Sequence, residues 1–191
     1  MDDKKALTGS IRKLLTREQP HYLAHLLRLD SDARNRRFAH AVSDDFIIRY
    51  AEKAFDPGSI IFGYFVEGQL RGVAELKQSR AARSQIAEAA FSVEQDYVNQ
   101  GIATELMGRV IRSARNRGVR HLILSCLAEN AKMRAIALKY GADLQFEAGS
   151  VIGDIVPGRA NYFTFAAEAF EDRVGMLLAV LDLGDRIKTA A

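Results

Sequence analysis

The chain predicts an α/β domain followed by one extra amphipathic helix, and three observations predict it. The 191 residues are 48% hydrophobic, enough to bury one compact core. Apolar residues change period repeatedly along the chain, from short strand-like runs to helical spacing and back. The stretch Ala87–Met107, AEAAFSVEQDYVNQGIATELM, passes from an apolar strand through a polar turn into a helix that opens at Gly101, Ile102 and Ala103. The expected division is a single domain over 1–166 and a C-terminal helix over 167–191.

Each element has a local cause. Ile11 to Leu15 reads as a short strand, and Thr16 with Gln19 forms a capping box that opens a helix through Leu27. Ser31 and Ser43 read as further N-caps, the second opening DDFIIRYAEKAF, which stops at the Asp56-Pro57-Gly58 turn. A strand over 60–66, a hairpin at Glu67-Gly68 and a returning strand over 70–77 follow. SRAARSQ, residues 79–85, is an exposed polar loop before the strand Ile86 to Val93.

Beyond the turn, Ile102, Ala103, Leu106, Met107, Val110, Ile111 and Ala114 recur at helical spacing, with Glu105, Arg109, Arg112 and Arg115 opposite and Gly118 as the stop. His121 to Leu127 is a buried strand; Asn130 caps a helix with Met133, Ile136, Ala137 and Tyr140 inward, and Gly141 ends it. Two later strands are expected, around 144–155 and 160–165, before a helix with Val174, Leu177, Leu178 and Leu181 on one face.

Composition excludes several classes. No run of 18 apolar residues exists, and the charged start MDDKKALTGS has no apolar stretch behind it, so neither a spanning helix nor a secretory signal is expected and the chain reads as cytoplasmic. The single Cys126, within HLILSCLAE, fits a reduced, buried strand residue. A net charge of +3 is too small for a dedicated nucleic-acid binder. The arginines of 28–37 and 109–120 read as solvated faces that would also attract a ligand with several phosphates. His21 and His25 stand at i, i+4, a spacing that suits two metal ligands on a helix, but no third ligand is evident, so no metal is expected and a structural or surface role is favoured. No three-glycine dinucleotide fingerprint and no Gly-Lys-Ser/Thr phosphate loop occur.

The segment from Val98 to Thr104 carries the chemistry. A helix start leaves its first N–H groups unpaired and carries a partial positive charge, so it is a socket for a diphosphate. Gly101 has no Cβ to block the approach, and Ala103 has the smallest side chain that still favours helix.

Ala87–Met107, together with the block from Asn130 to Gly141, resembles the GNAT superfamily of acetyl-CoA-dependent N-acetyltransferases, and the AE-A-F pattern of Ala87–Phe91 is similar to bacterial protein lysine acetyltransferases. The resemblance implies a mixed, mostly antiparallel sheet of roughly six to seven strands flanked by helices. It implies acetyl-CoA as cosubstrate and an amine as acceptor, protein lysine or a small amine. It places the pantetheine along Ser92 and Val93, the pyrophosphate on Val98, Asn99, Gln100, Gly101, Ile102, Ala103 and Thr104, and the middle of the coenzyme near Asn130 and Met133. It makes Glu88 the general base. Strand alternation independently sets Glu88 with Ala90 and Ser92, small neighbours that would desolvate a carboxylate and raise its pKa; an exposed, ordinary glutamate is the other reading.

Departures from the family pattern lie at Val98, Asn99 and Gln100, which remove side-chain charge near the phosphates and predict weaker coenzyme binding. Ala137 stands where many members carry an acid tyrosine; Tyr140, one turn on, is either a displaced general acid or a core tyrosine with one hydrogen bond. An acyl-CoA sensor without catalysis is the alternative function, with the C-terminal helix used for self-association as a homodimer.

Overall fold

The computed structural model describes residues 8–78 and 85–189, so the polar loop expected over 79–85 falls, except for Gln85, outside the described residues. Seven strands form one sheet: β1 (Ser10–Lys13), β2 (Ser59–Val66), β3 (Gln69–Gln78), β4 (Ile86–Val93), β5 (His121–Leu127), β6 (Asp143–Glu147) and β7 (Ser150–Ile155). Their order across the sheet is β1-β2-β3-β4-β5-β7-β6. Every neighbouring pair is antiparallel except β4 with β5. The helices are α1 (Gln19–Arg28), α2 (Ser31–Phe38), α3 (Asp44–Lys53), α4 (Ile102–Asn116), α5 (Ala131–Lys139) and α6 (Tyr162–Thr189). This is the mixed, mostly antiparallel α/β architecture that the sequence predicts. Among the described residues, no helix is long and apolar enough to cross a membrane.

The alternation of β4 divides the molecule into two layers. Ala87 and Ala89 face α4, whose Ile102, Leu106, Met107, Val110 and Ala114 are buried against them and against Leu122 and Leu124. Each of the larger side chains here contributes about 1.5–3 kcal/mol by leaving water. On the other face, Tyr22, Leu26, Ile47 and Ala51 of α1 and α3 pack on Leu70 and Val73 of β3. Glu67 and Gly68, at φ 49° and 68°, form the β2–β3 turn with both central residues left-handed, the geometry a two-residue hairpin needs. Gly118 and Gly141, at φ 71° and 77°, end α4 and α5 as expected.

Several boundaries depart from expectation. The strand predicted over 160–165 is instead the start of α6, because Asn161 and Thr164 cap a helix reciprocally: Asn161 Oδ1 accepts from Thr164 N at 2.9 Å and Thr164 Oγ1 accepts from Asn161 N at 3.0 Å. The run 144–155 folds back on itself at Gly149, φ 82°, to give β6 and β7. Asp30, not Ser31, caps α2, its carboxylate accepting from Ala33 N at 2.7 Å; Ser43 caps α3 as expected, accepting from Phe46 N. The capping box of Thr16 and Gln19 is replaced by Glu18, which accepts from Leu15 N at 2.9 Å and pairs with Arg12.

The last helix docks by the side opposite to its apolar stripe. Its buried positions include Glu168, Gly175 and Ala179, whereas Val174, Leu177 and Leu181 are exposed. Glu168 is the anchor. It takes hydrogen bonds from Lys13 at 2.7 Å, Asn116 at 2.6 Å, Ser113 at 3.0 Å and Arg117 at 2.9 Å, while Glu171 pairs with Arg109 and Arg112. Polar docking of this kind leaves no signal in a hydrophobic periodicity.

Candidate functional site

Parallel pairing of β4 with β5 lasts only from Ile86↔His121 to Ala89↔Leu124. Beyond it the two strands part, and a cleft of about 640 Å³ opens between Ala89–Val93 on one wall and Leu124–Cys126 on the other. Main-chain polar groups on these facing edges have lost their ladder partners, so an extended ligand can take up the bonds that the sheet does not make. The parting of β4 from β5 is therefore written in the strand register itself.

The start of α4 closes one end of the cleft. Asn99 and Gly101 adopt left-handed backbone, φ 63° and 83°, and turn the chain so that Gly101 becomes the N-cap. No side chain caps the helix, and its first internal bond runs from Glu105 N to Gly101 O at 3.0 Å. The amides of Ile102, Ala103 and Thr104 therefore have no acceptor within the helix. A Cβ built on Gly101 would meet nothing within 4 Å, so the approach to these amides is open. The start of α5 forms the opposite side. There Asn130 Oδ1 accepts from Met133 N at 3.1 Å, which commits that oxygen to the helix cap.

Of the residues expected to hold a coenzyme, Ser92, Val93, Val98, Asn99, Gly101, Ile102, Ala103, Thr104, Asn130 and Met133 all line the cleft. Gln100 does not; its amide turns back to donate to Asp96 O at 3.1 Å and braces the turn from outside. Tyr140 is also absent from the lining. Its hydroxyl donates to Thr104 O at 2.8 Å, tying α5 to α4 as a core tyrosine would. Glu88 lies at the closed end of the β4–β5 pair, exposed and opposite Lys77, beside a second, smaller cavity with Asp56 and Ser59. It shares a face with Ala90 and Ser92 as alternation requires, but it stands beyond the covered stretch of that face, so the expected desolvation is absent.

Buried polar groups cluster instead on the α1–α2 side of the cleft, a feature that sequence reasoning missed. Glu75 of β3 takes bonds from Tyr22 at 2.5 Å, from Tyr50 at 2.7 Å and from Arg37, a residue that also lines the cleft. Burial and the Glu75 charge push the Tyr50 phenol up to about 12. His25 is fully buried; its Nε2 is 2.9 Å from Ser92 Oγ and its Nδ1 3.0 Å from Glu94 Oε1. Burial lowers the His25 pKa, a trend that Glu94 opposes. Burial would raise the Glu94 carboxyl, but hydrogen bonds from His25, Arg28 and Arg71 prevail and hold it at about 2. Cys126 lines the cleft too; burial pushes its thiol up, which makes it a poor nucleophile. The α1 histidines carried the only linear hint of this cluster, through their spacing, and nothing linear joins His25 to residues 67 and 69 positions away.

A parted parallel strand pair, meeting a helix start with free amides on a mostly antiparallel sheet, defines an acyltransferase-type α/β domain with an open cleft beside the helix start. The chain belongs to the acetyltransferase (GNAT) family, whose model matches residues 13–142. Among solved structures, it is similar to the GNAT domain of a Streptomyces lividans protein named PAT, with a TM-score of 0.69 at 19% identity over 80% of this chain and 93% of that one. It is also similar to the Escherichia coli ribosomal-protein-S18-alanine N-acetyltransferase, TM-score 0.61 and 18% identity over 81% and 97% of the two chains. A third likeness is to yncA from Salmonella typhimurium, solved with acetyl-CoA, TM-score 0.60 and 15% identity over 81% and 96%. At such identities the likeness is one of fold. No curated protein matches the chain.

Proposed function

We propose that the protein moves an acetyl group from acetyl-CoA directly to a primary amine, a protein lysine or a small amine, in the cytoplasm. The observation that carries this reading is the parting of β4 from β5 beyond Ala89↔Leu124, immediately beside the uncapped start of α4. The diphosphate of the coenzyme would take the amides of Gly101 to Thr104, and the pantetheine would run along Ala90 to Val93 as an added strand. The thioester carbonyl would then lie where main-chain donors, unused by the sheet, can polarise it. Neither Val98 nor Gln100 brings side-chain charge to the phosphates, and the neutral Gln100 amide is turned away to Asp96 O, which supports a modest affinity. Lys132 and Arg36, both on the cleft wall, supply positive charge from other elements.

Acetyl transfer also needs a neutral nucleophile, and an amine of pKa near ~10.4 must lose a proton first. Glu88, the base suggested by family resemblance, would have to act from outside the cleft. The acceptor would enter from the α2 side, past Ala33 and Arg36. We further propose that the exposed stripe of α6 pairs two copies of the chain.

Calorimetric titration with acetyl-CoA, followed by a thiol-release assay over lysine peptides, polyamines and amino acids, tests the reading. Binding with release of free thiol in the presence of one amine class is expected. Binding without release across the panel would point to an acyl-CoA sensor, and no heat with any CoA thioester at millimolar concentration would remove the coenzyme site itself.

A further inference from the structure

The row of Ser92, His25 and Glu94 runs from the wall of the cleft into a fully buried imidazole. Ser92 is the member that lines the cleft. It sits on β4, on the face turned toward α1, within the stretch where β4 has already left β5. Behind it, His25 of α1 is 0% exposed and reaches the cleft only through the Ser92 hydroxyl.

Proton positions follow from the partners. The Glu94 carboxylate is ionised and can only accept, so His25 Nδ1 carries the hydrogen and donates it across 3.0 Å. Nε2 is then a lone pair, and the Ser92 O–H must donate to it across 2.9 Å. Ser92 Oγ keeps its own lone pairs for a donor arriving in the cleft. Glu94 cannot swing away, because Arg28 holds Oε1 at 2.9 Å and Arg71 holds Oε2 at 2.8 Å.

Resting on the acetyl-transfer reading above, we propose that Ser92 and His25 are the proton acceptor for the incoming amine, with Glu94 as the positioning residue that fixes the imidazole tautomer. An ammonium in the cleft donates to Ser92 Oγ as the Ser92 proton passes to His25 Nε2, leaving a neutral amine, an unchanged serine and an imidazolium paired with Glu94. The amine nitrogen attacks the thioester carbon, a C–N bond forms, and the C–S bond breaks. The nitrogen's second surplus proton leaves with the coenzyme thiolate as free thiol, and the imidazolium returns its proton to solvent back through Ser92. Atoms and charge balance as ammonium plus thioester giving amide, thiol and one proton.

Charges around His25 set when the device works. Glu94 at the end of β4 favours the imidazolium, whereas Arg28 on its own helix and Arg37 on α2 disfavour it, and burial disfavours it most. Arg71 of β3 acts on it only through Glu94. The resting imidazole is therefore neutral at pH 7 and ready to accept a proton.

The test compares wild type with Ser92→Ala, Ser92→Thr and Glu94→Gln, reading coenzyme affinity by calorimetry, kcat/KM against pH, and the tautomer of His25 by nitrogen NMR. Ser92→Ala should bind acetyl-CoA as wild type does, because that contact is made by main chain, yet lose about 100-fold or more in kcat/KM. It should also lose the fall in rate that wild type shows as His25 protonates below its ordinary pKa. Ser92→Thr, which keeps a hydroxyl, should restore rate and pH profile, and Glu94→Gln should mix the tautomers and lower kcat with little change in coenzyme affinity. An unchanged rate and pH profile in Ser92→Ala overturns the relay while leaving acetyl transfer intact. An acetyl group trapped on Ser92 would overturn it in favour of a covalent route, and a wild type that binds acetyl-CoA but acetylates no amine would overturn both readings.

Discussion

Replacing Glu168 by Gln tests whether α6 is held to the domain by one buried carboxylate. Burial opposes its charge, but Lys13, Asn116 and Arg117 reverse that and hold the group at about 2, against an ordinary 4.5. The folded value is the depressed one, so the stabilisation is fully present above pH 4.5 and is lost as pH falls toward 2. The difference corresponds to about 3 kcal/mol at neutral pH, and the residue is buried enough for that figure to need no large discount for solvent. For a chain of this length the variant should melt roughly 6–12 °C below wild type at pH 7. At pH 3 the unfolded carboxyl is already protonated, and the contribution shrinks to about 1.4 kcal/mol. Circular dichroism melts of both proteins between pH 7 and pH 3 would therefore show the gap closing to less than half. A gap that stays constant over this range would refute the assignment of the stabilisation to an ionised Glu168.

Three further outcomes follow from the same geometry. Gly101→Ala places a Cβ at φ 83°, a left-handed strain of about 1–2 kcal/mol, with nothing nearby to clash; the protein should fold, melt a few degrees lower, and bind acetyl-CoA more weakly by calorimetry. If Ser92 and His25 take the proton, Glu88→Gln, at an exposed residue that does not line the cleft, should leave turnover within about twofold of wild type; a loss of about 100-fold would assign the base to Glu88 instead. Leu177→Asp alters a side chain that is 60% exposed, so thermal stability should hold to within about 0.5 kcal/mol, while sedimentation should report a monomer in place of any dimer; an unchanged dimer would place self-association elsewhere.

Read from the letters alone, this protein already declares its fold class, most of its helix ends and the tight turn that opens α4 at Gly101, because these depend on neighbours close in the chain. Gly101, Gly118 and Gly141 mark positive φ through the absence of a Cβ, Ser43 and Asn130 cap through side chains three residues from their targets, and the apolar period of α4 names its buried face. Where several residues compete for one local role, the sequence is ambiguous, as with Asp30 over Ser31 and Asn161 turning an expected strand into the start of α6. Tertiary structure decided the rest. The length of the β4–β5 pairing, the exposure of Glu88, the docking of α6 by Glu168 and the row of Ser92, His25 and Glu94 all depend on which distant segments pack together. Burial and hydrogen-bond partners across such distances are properties of the folded arrangement, and no local pattern encodes them.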